Sequence, residues 1–163
     1  MKVEDIMTDN VKFCRPDTNL AEATAIMWEQ DCGALPVVDG KAPVGMITDR
    51  DIAIAAGTKH RPAWAIPVSD AMSKELCSVS PDDDIHTALK LMQKDRVRRL
   101  PVINAKGALE GILCLNDIAL HAEHPSGEKT PNPTDEDLVS TLKAICEHHH
   151  HKEVKAQHKT GIA

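Results

Sequence analysis

Aromatic side chains are almost absent from this 163-residue chain, which has one Phe, two Trp and no Tyr. Its core must therefore be aliphatic, built from Val, Ile, Leu, Met and Ala. The length allows one compact domain with an appendage, because single domains typically run to about 100–150 residues. Two large independent domains do not fit.

Basic tracts and long apolar runs are also missing. No basic tract exceeds the pair Arg98-Arg99, and the formal net charge is −6, so the footprint of nucleic-acid binding is absent. No stretch approaches the roughly 20 apolar residues of a membrane span, and the N-terminal residues lack the apolar segment of a signal peptide. We expect a cytoplasmic protein with neither nucleic acid nor membrane as a partner.

The motifs of common enzymes are missing too. The sequence has no P-loop, no GxSxG, no HExxH and no DFG-like segment, so we do not expect an enzyme. The cysteines are odd in number and widely spaced, without a CxxC pair, and in a reducing compartment they are expected to act as small buried hydrophobes. They are Cys14, Cys32, Cys77, Cys114 and Cys146.

An internal repeat dominates the sequence. A shift of 65 residues superposes Val3 on Val68 and the run Leu35-Pro36-Val37 on Leu100-Pro101-Val102. After one inserted residue the shift becomes 66, and Gly45, Asp51, Ile52 and Ala53 then meet Gly111, Asp117, Ile118 and Ala119. Register held across a whole unit indicates two copies of one fold.

Each copy has the same predicted elements. An amphipathic helix with apolar residues at i, i+3, i+4 and i+7 begins at Leu20 and again at Ile85, and it is followed by two short apolar runs that read as a hairpin. The first helix is capped by Thr18 or Asn19, and the second by Asp83 or Asp84. A closing helix begins near Asp49 or Asn116. The β-α-β-β-α pattern predicts an α/β fold in which two small units pack together.

The order DIMT, PDTNLAEA, GALPVVD, GMITDRDI, followed by DAMS, PDDDIHTA, RRLPVIN, GILCLNDI, resembles a tandem CBS pair, or Bateman module. We predict a first repeat at residues 1–60, a linker at 61–67, a second repeat at 68–122, and a linker with a helical tail at 123–163. Such stand-alone bacterial pairs imply a homodimer that binds an adenosyl ligand and reports to a downstream protein. AMP, ADP, ATP, NAD and S-adenosylmethionine are the candidate ligands.

The segment Gly45-Met46-Ile47-Thr48-Asp49-Arg50-Asp51 has two interpretations. By spacing alone, Thr48 and Asp51 form a capping box. The resemblance implies instead that Asp51 accepts hydrogen bonds from ribose hydroxyls and that Gly45 allows close backbone approach to the ligand. Met46 and Ile47 are then expected to contact adenine, and the start of the helix is expected to offer free N–H groups to phosphate. Arg98 and Arg99 of the other repeat are then expected to bind the phosphate.

A second, mirror-related site is expected to be weaker for phosphorylated ligands. It keeps Asp117 and has Ile112 for the adenine, but Cys114 replaces the threonine, and its partner residues, Gly33 and Ala34, bring no charge. We therefore predict two unequal sites.

The C-terminal tail suggests a different function. A helix after Thr134 has an apolar stripe of Leu138, Leu142, Ile145 and Cys146, and it is expected to pack on the pair or on a dimer mate. The run His148 to His151 follows it and raises the alternative of a metal or redox sensor, although no metal ligand is predicted. The third alternative is a ligand-free protein-interaction module.

Overall fold

The computed structural model describes residues 1–124 and 130–147 and contains two α/β units and a C-terminal helix. The fold predicted from the repeats is confirmed. In chain order the elements are β1 (Thr8–Asp9), α1 (Leu20–Glu29), β2 (Ala34–Asp39), β3 (Ala42–Thr48), α2 (Asp49–Thr58), α3 (Ile85–Asp95), β4 (Arg99–Ile103), β5 (Leu109–Cys114), α4 (Leu115–Leu120) and α5 (Asp135–Cys146).

For each of the first helices of the two repeats, the sequence offered two candidate capping residues, and the structure shows which of them forms the cap. Asn19 caps α1 by accepting the Glu22 N–H at 3.0 Å, and Asp84 caps α3 by accepting the His86 N–H at 2.9 Å. Each cap satisfies a backbone donor that the helix itself leaves unpaired. Among the described residues no helix is long and apolar enough to cross a bilayer.

Each unit is built around one hairpin. In the first unit β2 pairs with β3, and single bridging residues, Cys14 and Ser73, extend the two outer edges. In the second unit β4 pairs with β5, with Val79 on one edge and β1 on the other. The two sheets therefore have the same order of segments, although the predicted first strand of each unit is only one bridging residue long.

The packed units do not follow the order of the repeats in sequence. Val3 lies in the core of the second unit, where its N–H donates to the Asp83 carbonyl at 2.9 Å. Its counterpart Val68 lies in the core of the first unit, and its N–H donates to the Thr18 carbonyl at 2.7 Å. Each repeat thus begins by packing on the other unit, so the two units are interlocked.

The tail helix α5 packs on α3 of the second unit. Leu138 and Ile145 contact that unit's core, as expected, and Thr141 is fully buried between them. Leu142 is 49% exposed and Cys146 is exposed. The predicted stripe is therefore wrong for these two residues, because the docked face is rotated to include a threonine whose hydroxyl has polar partners.

The buried threonine supports a prediction about tail docking. The Gln93 amide donates to Thr141 Oγ1 at 2.7 Å, and that hydroxyl donates to the Asp137 carbonyl at 2.8 Å. Thr141→Val keeps the shape but leaves the amide unpaired, so we expect a loss of about 1–2 kcal/mol in the free energy of unfolding, measured by urea denaturation. Ser140→Ala, on the exposed face of the same helix, should change it by less than about 0.5 kcal/mol. Equal values for both variants would contradict this role.

Candidate functional site

A cavity of about 270 Å³ lies between the two units. Its walls come from the start of β2, the end of β3 and the start of α2 in the first unit, and from the start of β4 in the second. The segment that connects the units completes it. The lining residues are Ala34, Met46, Thr48, Asp49, Arg50, Asp51, Ser73, Glu75, Cys77, Val97, Arg98 and Arg99. The sequence-predicted residues Met46, Thr48, Asp51, Arg98 and Arg99 are therefore brought together here.

The capping box predicted from spacing is present at the cavity wall. The Thr48 N–H and hydroxyl donate to Asp51 Oδ2 at 2.9 and 2.7 Å, and the Asp51 N–H donates to Thr48 Oγ1 at 3.2 Å. In the described part of the chain no group donates to Asp51 Oδ1. One carboxylate oxygen therefore holds the helix start, while the other keeps two lone pairs for a ligand. The two interpretations are compatible.

The backbone at the start of α2 does not offer the free donors expected there. The Asp49 N–H donates to the Gly33 carbonyl at 3.2 Å, and the Arg50 N–H donates to Asp49 Oδ1 at 2.7 Å. The Asp51 N–H is held by Thr48. The expectation of free N–H groups for a phosphate is therefore wrong, and an anion in this cavity must be bound by side chains.

The cavity carries charges of both signs. Arg50, Arg98 and Arg99 line it, and none of them has a carboxylate within 4.0 Å in residues 1–124 and 130–147. The acidic groups of the lining are Asp49, Asp51 and Glu75. Guanidinium groups without a paired carboxylate can bind an anionic ligand without first breaking an ion pair.

Two predicted residues lie beside the cavity and not in its lining. The Ile47 side chain is fully buried in the core of the first unit. A Cβ on Gly45 would lie 2.4 Å from the Ser73 carbonyl oxygen. The glycine is therefore required for close approach of the connecting segment, whereas the resemblance implied close approach of a ligand.

The connecting segment supplies residues that the sequence reasoning missed. Ser73 is fixed to β3 by two hydrogen bonds with Met46, and from there the chain crosses the cleft past Glu75 and Cys77. A hydrogen bond to Asp95, with burial, raises the pKa of the Cys77 thiol to about 11. The segment lies near the start of the predicted second repeat, and only the interlocked packing of the two units places it at the cavity.

Comparison with known proteins agrees with the repeats. The family model described as CBS domain matches residues 3–57 and again residues 68–123. The chain belongs to the CBS-domain family. The CBS domain-containing protein YhcV of Bacillus subtilis (strain 168) is 38% identical over 119 residues, which cover 73% of this chain and 84% of YhcV.

Solved structures share this CBS pair. Hypoxic Response Protein I, whose structure has two coordinated zinc ions, superposes with a TM-score of 0.69 and 31% identity, over 76% of this chain and all of that one. CBSX2 in complex with AMP superposes with a TM-score of 0.62 and 26% identity, over 73% of this chain and 93% of that one.

The mirror-related position of the CBS pair keeps half of the cap. The Cys114 N–H donates to Asp117 Oδ2 at 2.8 Å, and Ile112 is buried beside them. Burial and the charge of Asp117 raise the pKa of the Cys114 thiol to about 11, while Arg99 partly opposes the rise. A thiol with this pKa is protonated at neutral pH, which does not favour a redox role. Ile112, Cys114 and Asp117 do not line the cavity described above.

The metal alternative falls mostly outside the described residues, since the run His148 to His151 lies there. Within the described ranges, no group of three or more His, Cys, Asp or Glu side chains is arranged to hold a metal ion.

Proposed function

We propose that this CBS pair is a regulatory module that binds an adenine nucleotide in the cavity between its two units. One observation carries the proposal: Asp51 of the first unit and Arg98 and Arg99 of the second line the same cavity. A ribose acceptor and a phosphate-binding pair are thus contributed by different units. CBSX2, at 26% identity, was crystallised with AMP, which supports an adenosyl ligand for this fold.

The roles follow from the available donors and acceptors. Asp51 Oδ1 can accept from both ribose hydroxyls through its two lone pairs. Arg98 and Arg99 can donate to phosphate oxygens, and Arg50 adds a third positive group at the rim. Met46, Ala34 and Val97 give the base an aliphatic surface.

Regulation follows from the placement of these groups on two units. A nucleotide that contacts both restrains their relative orientation, and it shifts the conformational equilibrium by its difference in affinity for the two arrangements. That orientation is the signal that a downstream protein reads. No step of this proposal requires catalysis.

A thermal-shift panel with AMP, ADP, ATP, NAD, S-adenosylmethionine and zinc tests the proposal. A ligand at a hundred times its dissociation constant stabilises the fold by about 2.7 kcal/mol. For a chain of this size we expect the unfolding midpoint to rise by about 5–10 °C with at least one adenosyl ligand. A rise with zinc alone would support the metal-sensor alternative, and no rise at all would support the ligand-free interaction module.

The homodimer and the cytoplasmic location stay predictions from the resemblance. The first unit does present an apolar surface on α1 and α2, where Trp28 is 87% exposed and Ile54 is 52% exposed. The corresponding face of α3 in the second unit is covered by α5. Analytical ultracentrifugation with and without AMP measures whether the chain self-associates.

A further inference from the structure

Arg99 lies where the two mirror-related positions of the CBS pair meet. The 65-residue shift relates Arg99 to Ala34, and both residues line the cavity between the units. Under the pseudo-twofold relation, two residues that are each other's counterparts and that border one site together also border the other site. Arg99 is thus placed at both sites, although the sequence assigned it only to the first.

The guanidinium of Arg99 lies beside Gly33, which the repeat assigns to the second site. Its Nη2 lies 3.6 Å from the position that a Cβ on Gly33 would occupy. Arg99 is also the register partner of Cys114 in the β4–β5 sheet, and its charge opposes the rise in the pKa of the Cys114 thiol. Gly33 and Cys114 are the residues that mirror Arg98 and Thr48 of the first site. The second site therefore has a nearby cation, although its own partner residues, Gly33 and Ala34, bring no charge.

We propose that Arg99 is a cation shared by two adenosyl sites, so that a phosphorylated ligand at the first site withdraws it from the second. This inference rests on the proposed function. The other cations of the first site have no charged counterpart, since Gly33 mirrors Arg98 and Asn116 mirrors Arg50. Adenosine has no phosphate for Arg99 to bind, so only phosphorylated ligands should lower each other's affinity at the two sites.

Lys12 is the rival cation for the second site. It mirrors Cys77, which lines the first cavity, and it is exposed on the segment that crosses between the units. If Lys12 binds the phosphate of the ligand at the second site, Arg99 is not needed there. Lys12→Ala is therefore the matched control for Arg99→Ala.

Titration calorimetry with AMP and adenosine on single-site variants separates these cases. Asp51→Ala weakens binding at the first site, so that the heat measured comes from the second site. At that site we expect AMP to bind about tenfold more tightly than adenosine. Adding Arg99→Ala should remove that preference, whereas adding Lys12→Ala should leave it. In the unsubstituted chain the second AMP should bind about tenfold more weakly than AMP binds to Asp51→Ala, while adenosine should show no such penalty.

Three results would overturn the shared cation: equal losses of AMP and adenosine affinity on adding Arg99→Ala, loss of the preference with Lys12→Ala, or a second AMP that binds without penalty. An Asp51→Ala chain that is folded by circular dichroism and binds neither ligand would also overturn it, because there would be no second site. Failure of the unsubstituted chain to bind AMP and adenosine would instead reject the proposed function itself.

Discussion

Asp51→Ala is expected to weaken AMP binding by about 100-fold, on the order of 3 kcal/mol, because the ribose hydroxyls lose their charged acceptor. The measurement is titration calorimetry in an Asp117→Ala background, so that the heat comes from the first site alone. The same substitution removes one half of the capping box of α2, because Asp51 Oδ2 accepts the Thr48 N–H. A separate loss of about 1 kcal/mol in unfolding free energy is therefore expected.

The chain contains its own control for the capping effect. Thr134 and Asp137 form the same capping box at the start of α5, with the Thr134 N–H and hydroxyl donating to Asp137 Oδ2 at 3.0 and 2.7 Å. Asp137→Ala, in the same background, should cost similar stability and leave AMP binding unchanged. If both aspartate variants weaken AMP equally, Asp51 acts through the fold and does not contact ribose.

Gly45→Ala should destabilise the protein by about 3 kcal/mol, measured by urea denaturation. Its Cβ would lie 2.4 Å from the Ser73 carbonyl oxygen, and that contact is with backbone, which side-chain rotation cannot relieve. Two hydrogen bonds with Met46, at 3.1 and 2.9 Å, hold Ser73 in place. Displacing Ser73 also moves the wall that carries Glu75 and Cys77, so nucleotide affinity should fall as well.

Gly57→Ala is the matched control for this prediction. Gly57 lies in α2, its φ is not positive, and a Cβ there would meet nothing within 4 Å. Alanine in a helix is favoured over glycine by roughly 0.5–1 kcal/mol, so this variant should be slightly more stable. A Gly45→Ala chain as stable as the unsubstituted one would show that the connecting segment tolerates displacement.

The sequence predicted the elements well because burial along a single helix or strand is periodic. Leu20 and Ile85 begin helices whose buried residues repeat at helical spacing, and both are fully buried. The prediction was less successful for α5, where a polar residue occupies the buried face. Thr141 is accommodated there by hydrogen bonds to Gln93 and Asp137, and hydrophobic periodicity does not register such partners.

The sequence predicted those features of the site that depend on neighbouring residues, and it missed those that depend on distant ones. The spacing of Thr48 and Asp51 is local, so the capping box was visible in the sequence and is present. The occupied N–H of Asp49 depends on Gly33, a residue 16 positions earlier. The reach of Arg99 toward Gly33 depends on the packing of the two units.

The sequence by itself determined that the chain is a doubled α/β unit of the CBS family, because repeated spacing and short-range capping are encoded in neighbouring residues. Only the tertiary structure decided that Val3 packs in the core of the second unit and Val68 in the core of the first. It likewise decided that Ser73 to Cys77 close the cavity and that the Arg99 guanidinium lies beside Gly33. These features arise from contacts between segments far apart in the chain, which local periodicity does not specify.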